Sequence, residues 1–179
     1  DLAKVIISSL SLQESNILRL IDHKSIYPNT IPSIFIPTTH GTGSEVTMWG
    51  TIWNLKEKKK YSISSPSLYP TIAILDGSLT LTLSLKYSII TILDTLSHSF
   101  ESIWNKSANK KSTELAIEAI TIILKNIEAF KETPENLAIR SKFLIASNIA
   151  GLAFSNTKTA AAHSISYPLT INFDIPHGI

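Results

Sequence analysis

Hydrophobic spacing changes character once along these 179 residues. Up to about Asp76 the apolar runs are short and punctuated by proline, whereas from about Leu79 they recur at the three- and four-residue intervals of amphipathic helices. The first stretch predicts a helix from Asp1, a buried strand over residues 33–37 (SIFIP) and a β-hairpin over residues 46–64. The hairpin turn falls in the lysine run KEKKK, and the short apolar segment TIAILD follows. The second stretch predicts long helices over residues 86–104, 111–130 and 135–154. Thr133 reads as the cap of the last, with Pro134 at its first helical position. A further helix is expected to start near Asn156 and to carry His163. The pattern is α/β followed by all-α, divided near residue 80 into residues 1–80 and 81–179.

Composition narrows the class. A 44% hydrophobic content supplies enough apolar material for one moderate core or two small linked ones. The net charge of +2, with no basic stripe, argues against nucleic acid as a partner. No uninterrupted apolar run in the sequence is long enough to span a bilayer, so no membrane partner is expected. The absence of cysteine excludes disulfides and thiolate ligands and fits a cytoplasmic enzyme. Asn105-Lys106-Ser107 matches a glycosylation sequon, read as chance in so serine-rich a chain.

The densest specific chemistry lies in LDTLSHSFE and AAAHSISYPLTINFDIPHG. Asp94 and His98 are four apart in a helical stretch, so both project from one face, one turn apart. With His163 and His177 they offer one carboxylate and three imidazoles, a complete set for Fe(II), Zn(II) or a similar ion. Each also has an ordinary reading: a chance pair on a solvated helix, a core histidine beside three alanines, a loop histidine after a proline. His23 and His40 show that histidine also occurs elsewhere. After the predicted strand, Thr38, Thr39, Gly41, Thr42, Gly43 and Ser44 form a glycine- and hydroxyl-rich loop. Such a loop lets backbone N–H groups approach a phosphate or a polar ring, though alone it reads equally well as a turn.

Three segments, IPTTHGTGSEVT, DTLSHSFE and HSISYPLTINFDIPHG, together resemble the iron-containing alcohol dehydrogenase family in letters, order and spacing. The resemblance implies a partial Rossmann-like cofactor domain over residues 1–80 and a helical metal-binding domain over residues 81–179, incomplete at its C-terminal side. It implies Asp94, His98, His163 and His177 as ligands of a divalent metal, iron in most of the family and zinc in some. It implies NAD(P) contacts at Thr38, Thr39, Gly41, Thr42, Gly43, Ser44, Lys60 and Leu79. The remaining lysines of KEKKK read as a solvated turn. In the family a Gly-Gly-Gly-Ser turn precedes a helix like DLAK, and more helix follows the last ligand, so the expectation is the central part of a longer enzyme. The discriminating position between NAD and NADP normally lies ahead of this segment, and both stay open.

What the resemblance implies for activity is a metal-dependent, NAD(P)-linked alcohol dehydrogenase or aldehyde reductase acting on a small alcohol or aldehyde, with homodimers as in the family. Alternatives of the same fold are a dehydroquinate-synthase-like or glycerol-dehydrogenase-like enzyme; a non-catalytic metal-binding fragment is a third. Many members place a proton-relaying histidine where this chain has Tyr167, so Tyr167 is only a catalytic candidate. His40, Gly77 and Ser84 also depart from the common pattern. Residues 157–170 and 53–70 resemble the phosphonoacetaldehyde reductase (hydroxyethylphosphonate dehydrogenase) subfamily. For such a substrate Lys158, flanked by Thr157 and Thr159 at an expected helix start, would offer charge, hydroxyls and free N–H groups to a phosphonate.

Overall fold

The computed structural model describes residues 1–22, 27, 28 and 30–179, and His23 lies outside them. Helices α1 (Leu2–Leu12) and α2 (Ile17–Asp22) come first, then strand β1 (Ile34–Phe35) and the hairpin β2 (Trp49–Asn54) and β3 (Lys59–Ser64). Strand β4 (Ile72–Ala73) follows, and then four helices: α3 (Leu85–Trp104), α4 (Lys110–Glu132), α5 (Leu137–Thr157) and α6 (Ala161–Phe173). The α/β-then-α order is the expected one.

The hairpin turn falls in the lysine run, with Lys58 at φ 50° and the Asn54 side chain accepting from the Glu57 N–H. Its register pairs Trp49 with Ser64, Thr51 with Ser62 and Trp53 with Lys60. Alternation puts these six side chains on one face of the ribbon. On the opposite face Ile63 and Ile52 pack with Ile7, Tyr27 and Leu68. The buried strand expected over residues 33–37 is corrected: only Ile34 and Phe35 are extended, paired in parallel with Ile72 and Ala73, and Ile34 is 59% exposed. A two-stranded parallel ribbon has no covering layer on this side among the described residues.

Helices α3, α4 and α5 share the larger core, built on Ile92, Ala119, Ile123, Phe130, Phe143, Ala146 and Ala150. Ser84, the departure from the family's proline, caps α3 by accepting from the Tyr87 N–H, and an Asn109–Ser112 capping box starts α4. The expected start of α5 at residue 135 is displaced. Asn136 is the cap, accepting from the Ile139 N–H, while Thr133 ends α4 and Pro134 gives its carbonyl to Arg140. The helix expected from Asn156 starts later, because α5 continues to the buried Thr157 and only Lys158 turns the chain. By length and composition α5 alone among the described helices is apolar enough to cross a membrane, but 56% of that window is buried as the core helix of this bundle.

Candidate metal centre

Asp94 and His98 project from α3 toward His163 on α6, and all three are buried. Their ligand atoms lie within 4.8 Å of one another. Asp94 Oδ1 is 3.9 Å from His98 Nδ1, 3.5 Å from His163 Nε2 and 3.9 Å from His177 Nε2. His177 comes from the segment after α6, its side chain 31% exposed, so the fourth residue closes the cluster from the solvent side. His98 Nδ1 and His163 Nε2 are buried without a hydrogen-bond partner. Unpaired nitrogens beside a carboxylate are costly as they stand and are what a cation would satisfy, so the residues fit a divalent metal.

Electrostatics agree with that donor set. Burial pushes the Asp94 carboxyl upward, but the facing imidazoles of His98, His163 and His177 outweigh it and hold the group at about 2. Burial lowers His98 to about 4 despite Asp94, and burial likewise lowers His177. An ionised carboxylate among neutral imidazoles is the state a metal requires of its ligands.

Sequence reasoning passed over Glu101. Fully buried on α3, its carboxylate accepts from the backbone N–H groups of Ala160 (2.6 Å), Ala162 (2.6 Å) and His163 (3.2 Å). It also accepts from His163 Nδ1 at 2.7 Å. Ala160 has no capping side chain, so Glu101 acts as a cap donated from another helix. Because a carboxylate only accepts, His163 must carry its proton on Nδ1, which leaves Nε2 bare toward Asp94. The signal was present: residues 94, 98 and 101 share one helix face. This corrects the expectation of free N–H groups at the helix start near Lys158, since Glu101 already occupies them.

The cluster forms the floor of a cleft of about 400 Å³. One wall is the hairpin face (Trp49, Thr51, Trp53, Lys60, Ser62, Ser64); Phe154, Lys158, Thr159 and Tyr167 are among the residues on the others. Phe154 stacks on His98 with centroids 4.2 Å apart, and Tyr167 stacks on His177 at 5.4 Å. Lys60 Nζ sits 3.6 Å from the Tyr167 ring centroid. Of the residues expected to meet cofactor, Thr42 and Lys60 line this cleft. Thr38 is exposed, Thr39 and Ser44 are half-buried, and Leu79, 43% exposed, sits on the turn Gly77–Thr80 away from it.

The loop glycines answer to packing first. A Cβ on Gly43, at φ +54°, would lie 2.6 Å from Gly151 Cα on α5. One on Gly41 would lie 3.1 Å from Asp94 Oδ2. The loop is thereby pressed onto α3 and α5 beside Asp94. His40, another departure, is buried on the same loop, edge-on to Phe143, and its carbonyl accepts from Thr95 at 2.5 Å. Asn105 of the sequon spends its amide on the carbonyls of Lys158 (3.3 Å) and Thr159 (3.4 Å).

Comparison with known proteins agrees with this geometry. Residues 88–179 match the model of the Fe-containing alcohol dehydrogenase family, C-terminal, and residues 1–77 match that of the iron-containing alcohol dehydrogenases. The chain belongs to the iron-containing alcohol dehydrogenase family. It is 30% identical over 151 residues to a phosphonoacetaldehyde reductase of Streptomyces viridochromogenes, covering 84% of this chain and 38% of that protein. It is 33% identical over 180 residues to a long-chain primary alcohol dehydrogenase of Thermoanaerobacter ethanolicus, covering 100% and 45%. The crystal structure of sulfoacetaldehyde reductase from Bifidobacterium kashiwanohense in complex with NAD+ superposes with a TM-score of 0.90 at 36% identity, covering 98% of this chain and 46% of that one. The chain thus spans less than half the length of these relatives.

Proposed function

We propose that this chain is the metal-binding and partial cofactor-binding portion of an NAD(P)-linked alcohol dehydrogenase or aldehyde reductase, dimeric as in its family, that reduces a small aldehyde with an anionic tail. Phosphonoacetaldehyde, giving 2-hydroxyethylphosphonate, is the substrate the motifs favour. The observation carrying the reading is the convergence of Asp94, His98, His163 and His177 at the floor of a cleft also lined by two lysines. When bound, a divalent ion there supplies Lewis-acid polarisation of the substrate oxygen, and a nicotinamide supplies or accepts the hydride. Iron is favoured and zinc is the other candidate.

The chain's own residues then have separable roles. Asp94 offsets one of the ion's positive charges, Glu101 fixes the protonation of His163, and the hairpin tryptophans with Phe154 and Tyr167 keep the cleft floor dry. Thr42 and Lys60 meet the cofactor at the cleft, Thr38, Thr39, Gly41, Gly43 and Ser44 belong to the same loop as Thr42, and Leu79 would meet it outside the cleft. Tyr167 is packed face-on against His177 and under Lys60, so its first role is to support those groups. Lys158 attracts the anionic tail. Lys158→Ala in the complete enzyme should raise KM for phosphonoacetaldehyde about 10- to 100-fold, as loss of a charged hydrogen bond does, and leave an uncharged aldehyde of similar size little affected. Equal effects on both substrates, or a wild-type preference for the uncharged one, overturn the substrate reading.

A further inference from the structure

His177 differs from the other ligand residues in standing outside regular structure and partly open to solvent, so something must hold its ring in a ligating state. Its ring packs against Tyr167 at 5.4 Å and Trp53 at 6.3 Å, contacts that fix a plane but do not choose which nitrogen carries the proton. The choice falls to Ser166. Its hydroxyl lies 2.8 Å from the His163 carbonyl and 3.0 Å from His177 Nδ1. A carbonyl can only accept, and a serine hydroxyl has one proton to give. For both contacts to be hydrogen bonds, Ser166 donates to the His163 carbonyl and accepts from an Nδ1–H of His177. Nε2 is then bare, and it is the nitrogen that faces Asp94 Oδ1 at 3.9 Å.

We infer that Ser166 is a positioning residue that sets the metal-binding tautomer of His177 and anchors its loop to α6, as Glu101 does for His163. A neutral imidazole in water prefers its proton on Nε2, the wrong tautomer here, so the contact opposes an intrinsic preference. Placing this hydroxyl one turn after His163 on the same helix lets one side chain tie the two late ligands together. The inference rests on the metal-site reading, and its spectroscopic test does not depend on it.

The experiment uses Ser166→Ala and Ser166→Thr in the full chain. In metal-free protein, nitrogen-15 NMR of the imidazoles should show His177 protonated on Nδ1 in wild type and on Nε2 in the alanine variant. Titration with Co(II), followed by visible absorption, should show affinity about 10- to 100-fold weaker in the alanine variant, as for loss of other groups that orient ligands. Threonine should restore it, since its hydroxyl also reaches the carbonyls three or four residues back in a helix. An Nε2–H tautomer in wild type, or equal Co(II) affinity in the alanine variant, overturns the inference. Failure of wild type to bind Co(II) with the tautomers as stated overturns the metal reading instead.

Discussion

Replacing Glu101 with glutamine isolates one carboxylate that serves two structures. The native group accepts four hydrogen bonds, three from the start of α6 and one from His163 Nδ1. Glutamine keeps one acceptor oxygen. If that oxygen retains the Ala162 and His163 N–H groups, the amide NH2 faces the Ala160 N–H and the His163 ring. One buried N–H left unpaired costs about 1–3 kcal/mol, and loss of the anion at a helix N-terminus costs roughly 0.3–1 kcal/mol more. For a chain of this size the sum, roughly 1.3–4 kcal/mol, lowers Tm by about 3–16 °C. The amide also donates to His163 Nδ1 and moves the proton to Nε2, which should weaken metal binding about 10- to 100-fold.

The pH dependence has a definite sign. Burial raises the Glu101 carboxyl, but the Ala160 N–H and His163 outweigh it and hold the group below its usual 4.5. Its folded value is therefore depressed, so its contribution is complete above that usual value and is lost as pH falls through the depressed one. Differential scanning calorimetry from pH 7 downward should show the wild type converging on the Glu101→Gln variant in acid. A variant within about 1 °C of wild type at pH 7 with unchanged metal affinity would refute this account of Glu101.

Other changes probe separate parts. Lys158 sits at φ 66°, ψ 177°, a region nearly reserved for glycine, so Lys158→Gly should relieve roughly 1–3 kcal/mol of strain and, less about 0.5–1 kcal/mol of added unfolded-state entropy, raise Tm measured by calorimetry. The same variant should lose preference for the anionic aldehyde, and a lower Tm would remove the strain argument. Gly43→Ala combines a left-handed φ with a Cβ 2.6 Å from Gly151 and should cost roughly 2–4 kcal/mol in urea unfolding. NADH titration of the 179-residue chain, followed by fluorescence, should show weak or absent binding, because no Gly-Gly-Gly-Ser turn occurs in it; tight saturable binding contradicts that.

The legible parts of the sequence were those with local periodicity. The hairpin was readable because Trp49 to Ser64 alternates around a charged turn, and α3 because Asp94 and His98 repeat with its apolar stripe. His163 and His177 could be joined to them only through resemblance, since no local rule links α3 to a residue on α6. Glu101 drew no reading of its own because its partners lie 59 to 62 positions away. The strand over residues 33–37 was read as buried from its apolar letters, yet burial depends on a covering layer that a five-residue window does not encode. The start of α5 was misplaced because Thr133, Pro134 and Asn136 each satisfy a capping rule, and Asn136 prevails because its side chain reaches the Ile139 N–H.

The central claim is that Asp94, His98, His163 and His177 together hold one divalent ion. Metal analysis of the purified complete protein beside its His98→Ala variant tests it most directly. The expected result is about one iron or zinc per wild-type chain and a variant depleted of metal and inactive, because removing one of three imidazoles weakens the hold on the ion and leaves the buried Asp94 carboxylate less compensated. Full metal occupancy in His98→Ala would contradict it.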